Sequence, residues 1–352
     1  MKILYHFPNI DSINANRTIF NGYKNAFVDL EHQFDVLTAD DDIFEVLNRT
    51  SPDIFITASH FFYRKFINYN RLKEYRDRGL VIFTKIDFWV APPASLRLNE
   101  AKSMKDDNAV CELIKQNLLG DVYFHVVEQE DDRMKGFKDF AGRDFSTIPL
   151  AADKISLVGK FNKKFKANIS YIGTNLPAKK DFFADYLSPL KDRYDLKLYG
   201  QDWTFLDRCL GWVQRGGQYF NLPILKSIRK PKLALADEAQ IYNSSTISIN
   251  IHEEHQREFG GDCNERTFKI PLCGGFEVVD DVACIKKYFV GGKEIVIAKN
   301  KYDWFEKIDY YIKNPEERTA IIEAGRERVL RDHTYHNRAE QIINLYNGFK
   351  SI

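Results

Sequence analysis

The stretch Asn264-Glu265-Arg266-Thr267-Phe268-Lys269-Ile270-Pro271-Leu272-Cys273-Gly274-Gly275-Phe276 decides the reading of this 352-residue chain. A polar, basic segment opens a short helix, the helix stops at a Gly pair, and residues 276–279 follow directly as a buried strand. Arg266 and Lys269 are three apart, so they share one helical face near the N-terminal end. Two cations beside the positive end of a helix dipole suit a diphosphate; the plainer alternative is a solvated basic face.

The same alternation extends in both directions. Apolar runs at 2–7, 34–38, 53–57, 80–86 and 121–127 are separated by amphipathic stretches at 15–30, 63–76 and 107–118. After a less regular stretch, 146–166, strand-like runs resume at 169–172, 196–199, 247–251, 276–279 and 294–298. This pattern predicts an α/β chain of two tandem Rossmann-like, doubly wound domains facing a cleft. The expected boundaries are 1–150 for the first domain and 151–334 for the second. Residues 335–352 are expected to form a final helix packing back toward the first. Asn314-Pro315-Glu316-Glu317 is a helix start signal, and Gly325 weakens that helix slightly.

Composition narrows the function. Lys plus Arg total 51 and Asp plus Glu total 50, a net charge of +1 that argues against a nucleic-acid coat. Charged residues at 29% and hydrophobic residues at 44% exclude a disordered chain. Cys111, Cys209, Cys263, Cys273 and Cys284 form no CxxC pair and read as reduced thiols of a cytoplasmic protein. No signal peptide is expected, and no apolar run reaches the ~20 residues of a spanning helix. The basic cluster Lys160, Lys163, Lys164 and Lys166 leaves open a peripheral contact with the inner face of a membrane.

Ligands of open α/β sheets bind beyond the carboxyl ends of the strands. Two such ends carry glycine: Ile172-Gly173-Thr174-Asn175, with a helix expected from about Pro177, and Tyr199-Gly200-Gln201-Asp202-Trp203. In the first half the strand ends offer His6, His60 and Asp87 as a general base. Asp87 has the better context, because it follows an apolar strand and the aromatics Phe88 and Trp89 come next. The histidines of His252-Glu253-Glu254-His255 are three apart rather than four, which does not fit the H-E-x-x-H zinc motif; His252 is expected at a strand end, facing the cleft. Asp40-Asp41-Asp42 reads as a solvated turn, and no metal site is expected.

Asn264-x-Arg266-x-Phe268, Cys273-Gly274-Gly275-Phe276 and Asp280-Asp281 resemble the donor-binding signature of GT-B-type glycosyltransferases of the CgeB-like group. Further elements match in order: Gly292-Lys293-Glu294, Asn314-Pro315-Glu316-Glu317-Arg318, Ala324-Gly325-Arg326 and His333-Thr334-Tyr335. Upstream, Ile172-Gly173-Thr174, Tyr199-Gly200 and Ile249-Asn250-Ile251-His252 also fit, so the resemblance spans about residues 169–346. It implies a transferase that moves a sugar from a nucleotide-sugar donor to a carbohydrate, lipid-linked or protein acceptor, with no metal or other cofactor. By that resemblance the first domain is the acceptor-side domain and the second binds the nucleotide sugar. By that resemblance Gly173 and Thr174 lie near the donor phosphates, with Gly200 and His252 in the same region. Arg266 and Lys269 contact the diphosphate, Asn264 and Thr267 line the pocket, and Gly274 and Gly275 let the backbone close on the nucleotide. Asp87 and His6 are the catalytic candidates. The chain departs from its relatives at Lys269 and Gly261, where they carry Glu; Asp262 or Glu258 could substitute for the second. Sugar, nucleotide and stereochemical course therefore stay open. So do an epimerase-like nucleotide-sugar enzyme and an inactive binding protein of the same fold.

Overall fold

The computed structural model describes residues 1–8, 10, 14–91, 103–176, 179–220, 222–226, 228 and 233–351. The chain divides into two compact units. One comprises Met1–Asp153, Phe259–Asp262 and His333–Ile352; the other comprises Lys154–Glu258 and Cys263–Asp332. The first therefore ends at Asp153 rather than at 150, and it takes in a four-residue return segment that the sequence reading had placed in the second domain. Backbone hydrogen bonds account for this: Ala152 N–H donates to His333 O at 3.0 Å, and Glu128 N–H to Gly261 O at 2.9 Å.

Among the described residues, the first unit has strands β1 (Lys2–His6), β2 (Gln33–Leu37), β3 (Ile54–Ala58), β4 (Val81–Lys85), β5 (Val122–His125) and β6 (Ser146–Thr147). They pair in parallel in the order β2-β1-β3-β4-β5-β6, so the order reverses between β1 and β3. Every residue of β3 is buried, as expected of an apolar strand covered by helices on both faces. Tyr23, Ala26 and Phe27 of the helix Asn14–Asp29 share a core with Tyr335, Ala339 and Ile342 of the final helix Tyr335–Lys350. The predicted linker contains β6, a strand too short to show as an apolar run. The helix expected at 63–76 is two helices, Phe61–Arg64 and Tyr69–Asp77. The second starts where the Asn68 side chain accepts from Arg71 N–H at 3.2 Å.

The second unit has β7 (Ala167–Ile172), β8 (Leu196–Tyr199), β9 (Ser245–Asn250), β10 (Glu277–Asp280) and β11 (Val296–Ala298). Their order is β11-β10-β9-β7-β8, again all parallel, and it reverses between β7 and β9. That gap is the topological switch point, where a doubly wound sheet opens a crevice. The helix start expected at Pro177 lies outside the described residues, and helical structure is described from Lys180. Among the described residues no helix is long and apolar enough to cross a membrane.

Candidate functional site

The carboxyl edge of the second unit is organised by Arg266, the first residue of the short helix Arg266–Leu272. Its Nη1 donates to Ile172 O, at the end of β7, at 3.1 Å. Its Nη2 donates to Ile251 O, just past β9, at 3.0 Å. The guanidinium thus straddles the switch point. Asn250 fixes it from below: Asn250 Oδ1 accepts from Arg266 Nε at 3.0 Å and from Asn264 Nδ2 at 2.9 Å.

A buried polar chain continues from Asn250. Its Nδ2 donates to Thr267 Oγ1 at 3.0 Å and to Glu277 Oε1 at 2.8 Å. Thr267 Oγ1 lies 3.3 Å from His252 Nε2, and His252 Nδ1 lies 2.7 Å from Asp280 Oδ1. A carboxylate can only accept, so His252 Nδ1 donates to Asp280. Burial opposes the Asp280 charge, but His252 and Arg257 outweigh it and hold the carboxyl below its ordinary range. Burial pushes Glu277 up to about 8, with the Asn250 hydrogen bond and Arg266 opposing only in part.

Lys179 stands beside this chain, and the sequence reading did not find it. It is 6% exposed, and its Nζ donates to Ile251 O at 3.0 Å, the carbonyl that Arg266 also uses. Burial, reinforced by the Arg266 charge, lowers its pKa to about 7. Arg257 adds a third cation, with Nη1 3.3 Å from His252 O and 3.6 Å from Asp280 Oδ2. A buried lysine brought this close to neutrality is a group that an anion would recharge.

Lys269 is not part of this cation set. It is 4% exposed, with Nζ 3.1 Å from Glu238 Oε1 and 3.4 Å from Glu265 Oε2. Burial lowers its pKa, but the two carboxylates prevail and hold it above the ordinary lysine value. Its charge is neutralised within the fold, so the expectation that it faces a diphosphate is corrected. The three-residue spacing fixed a helical face but not the helix Leu235–Ser244 that packs against it.

The predicted glycines act mainly in packing. Gly200 has φ +118°, and a Cβ there would lie 2.3 Å from Gly173 O, so Gly200 and Gly173 let the ends of β7 and β8 meet. Thr174 follows, half-buried. Gly274 has φ +71°, and a Cβ on Gly275 would lie 2.8 Å from Tyr242 O. This pair turns the helix into β10 against a neighbouring helix.

In the first unit, His6 is fully buried, with Nδ1 3.0 Å from Thr57 Oγ1 and its ring stacked on Phe55. Burial lowers its pKa to about 4, and it sits in the core as a neutral ring, which corrects its assignment as a base. Asp87 lies beyond β4, with its N–H donating to Ser59 Oγ at 2.8 Å. Burial raises its pKa, with His60 and Lys85 opposing; burial lowers that of His60, with Asp87 opposing. The aromatics after Asp87 are engaged elsewhere. Phe88 stacks on Arg133 at 4.2 Å, and Trp89 is 7% exposed against Phe137. The exposed rings beside His60 are Phe61 and Phe62, whose centroids are 4.0 Å apart.

Gly261 also has a physical reason. A Cβ there would lie 1.9 Å from Asp131 Oδ2, so no glutamate fits. Asp262 is bound at 2.6 Å by Arg133, and Glu258 is exposed. Among the described residues no group of three His, Cys, Asp or Glu side chains is placed to hold a metal ion.

Residues 180–344 match the family model described as Glycosyl transferase-like. The fold is that of GT-B glycosyltransferases. Family match and fold together indicate a transferase enzyme. The catalytic domain of starch synthase IV from Arabidopsis thaliana, bound to ADP and acarbose, is 10% identical over 100% of this chain and 99% of its own, with a TM-score of 0.65. Sucrose-phosphate synthase from Thermosynechococcus elongatus is 10% identical over the same shares, with a TM-score of 0.62. A glycosyltransferase from Rickettsia africae ESF-5 is 13% identical over 99% and 98%, with a TM-score of 0.62. No curated protein sequence matches the chain.

Proposed function

We propose that this chain transfers a sugar from a nucleoside-diphosphate donor, bound at the carboxyl edge of the second unit, to a carbohydrate acceptor held by the first. The observation that carries the reading is Arg266 across the switch point between β7 and β9, with Lys179 on the same carbonyl. Those two cations hold the diphosphate, and Arg257 adds to the positive field. They neutralise the leaving group, so the transfer needs no metal ion. The acceptor oxygen bonds to the anomeric carbon as the bond from that carbon to the diphosphate oxygen breaks. In an inverting course the hydroxyl proton passes to Asp87, whose raised pKa suits a proton acceptor. The exposed Phe61–Phe62 pair offers an apolar face to a sugar ring. The motif series further supports a place in the CgeB-like group, and cysteines without a CxxC pair suit a reducing cytoplasm.

The test is incubation with a panel of nucleotide sugars, with and without oligosaccharide acceptors, read by mass spectrometry. Sugar transfer with release of the nucleoside diphosphate is expected. Epimerised donor without any transfer, or tight nucleotide binding without turnover on any acceptor, would overturn the reading.

A further inference from the structure

The helices Phe205–Tyr219 and Pro223–Lys226 of the second unit carry their apolar side chains the wrong way round for a water-facing surface. Phe205 is 78% exposed, Leu206 70%, Trp212 61%, Val213 41% and Ile224 86%. In the longer helix the exposed residues at 205, 206, 212 and 213 recur at seven-residue spacing and form one stripe. The buried positions of that helix include Gly211 and Gly217, and a Cβ on Gly217 would lie 2.4 Å from Leu225 Cβ, so the two helices pack through their smallest residue. Large rings outside and glycines inside make a surface that solvation alone does not explain.

We propose that this surface docks on an anionic lipid bilayer, with the apolar stripe in the headgroup layer. Charge selects the occupant. Arg208 and Arg215 are exposed and seven apart, so they lie side by side along the stripe. By sequence, residues 205–232 carry Arg208, Arg215, Lys226, Arg229, Lys230 and Lys232 against Asp207 alone, in a chain whose overall totals are 51 and 50. An apolar stripe flanked by cations is the composition of an interfacial helix on negatively charged headgroups. The membrane contact expected from the basic cluster at 160–166 is thus assigned to a different surface. The inference uses no residue of the donor site, so it stands or falls apart from the transferase reading.

The experiment is flotation of the full chain with vesicles of phosphatidylcholine alone or with phosphatidylglycerol admixed. Flotation should favour the anionic vesicles by about tenfold and weaken with salt. It should be lost in the variant Trp212→Ser with Ile224→Ser, and in Arg208→Glu with Arg215→Glu, while nucleotide affinity stays unchanged. Trp212 also provides a readout in the unaltered chain, should a variant not fold. Trp89 and Trp304 are buried and Trp203 is half-buried with its Nε1 donating to Gly173 O, so the quenching by brominated acyl chains that Trp212→Phe removes reports on Trp212. Quenching is expected with anionic vesicles. Absence of flotation and quenching, equal flotation of wild type and variants, or a dimer in light scattering that the apolar variant dissolves would each overturn the proposal.

Discussion

Lys179→Met separates a residue kept for binding from one kept for stability. The side chain is 6% exposed, and burial with the Arg266 charge takes its pKa from 10.5 to about 7. At about 1.4 kcal/mol per pH unit, that drop corresponds to roughly 5 kcal/mol of preference for the neutral form. The sign follows from linkage. The unfolded lysine keeps its proton up to 10.5, whereas the folded one keeps it only below about 7. The unfolded state therefore holds more protons between these values, and stability rises with pH across that window. Below about 7 the penalty is present in full. Methionine removes it and gives up one hydrogen bond to Ile251 O, about 1–2 kcal/mol. The variant should thus be more stable than wild type near pH 7 by roughly 3–4 kcal/mol, an advantage that fades toward pH 10.5. Urea titrations across that range measure it. The same variant should bind nucleoside diphosphates about ten- to a hundredfold more weakly, having lost one charge-assisted hydrogen bond. A variant less stable than wild type at pH 7, or one that binds nucleotide equally well, would refute the reasoning.

Glu277→Gln reports the opposite titration. Its folded pKa of about 8 lies above the ordinary 4.5, so the folded state holds more protons and stability falls as pH rises through that window. Glutamine should flatten the decline in urea titrations between those pH values while leaving stability near pH 4.5 almost unchanged. Asp87→Asn should lower turnover steeply, by about a hundredfold or more for a lost general base, with nucleotide affinity intact in calorimetry. Gly325→Ala sets helix propensity, about 1 kcal/mol in favour of alanine, against a Cβ 2.3 Å from Glu294 O. The backbone contact should win, lowering stability by about 1–3 kcal/mol in thermal melts.

Most of the fold was legible because buried parallel strands are written as short apolar runs, and ten of the eleven described strands sit within two residues of the expected bounds. What escaped was short or polar: β6 has only two residues, and Asn68 splits a helix that periodicity joins. Gly325, read as a weak point of its helix, is a contact point with Glu294 O. Of the residues singled out in the sequence, the fold brings Arg266, Asn264, Thr267 and His252 together around Asn250 and its neighbours. Lys179 was hidden because it is one of two adjacent lysines. Only the fold turns it under the strand ends while Lys180 stays exposed. Its signal was present, a lysine pair shortly after Gly173-Thr174 at a strand end. Lys269 misled for the converse reason: its neutralising partner Glu238 lies 31 residues away in sequence.

The central claim is that the switch point of the second unit holds the donor diphosphate on Arg266 and Lys179. Calorimetric titration of a panel of nucleoside diphosphates into wild type and Arg266→Ala, with folding of both verified by circular dichroism, tests it most directly. Binding of at least one nucleotide by wild type, weakened about tenfold or more in the variant, is the predicted result. No binding by wild type to any member of the panel, or equal affinity in the two proteins, would contradict it.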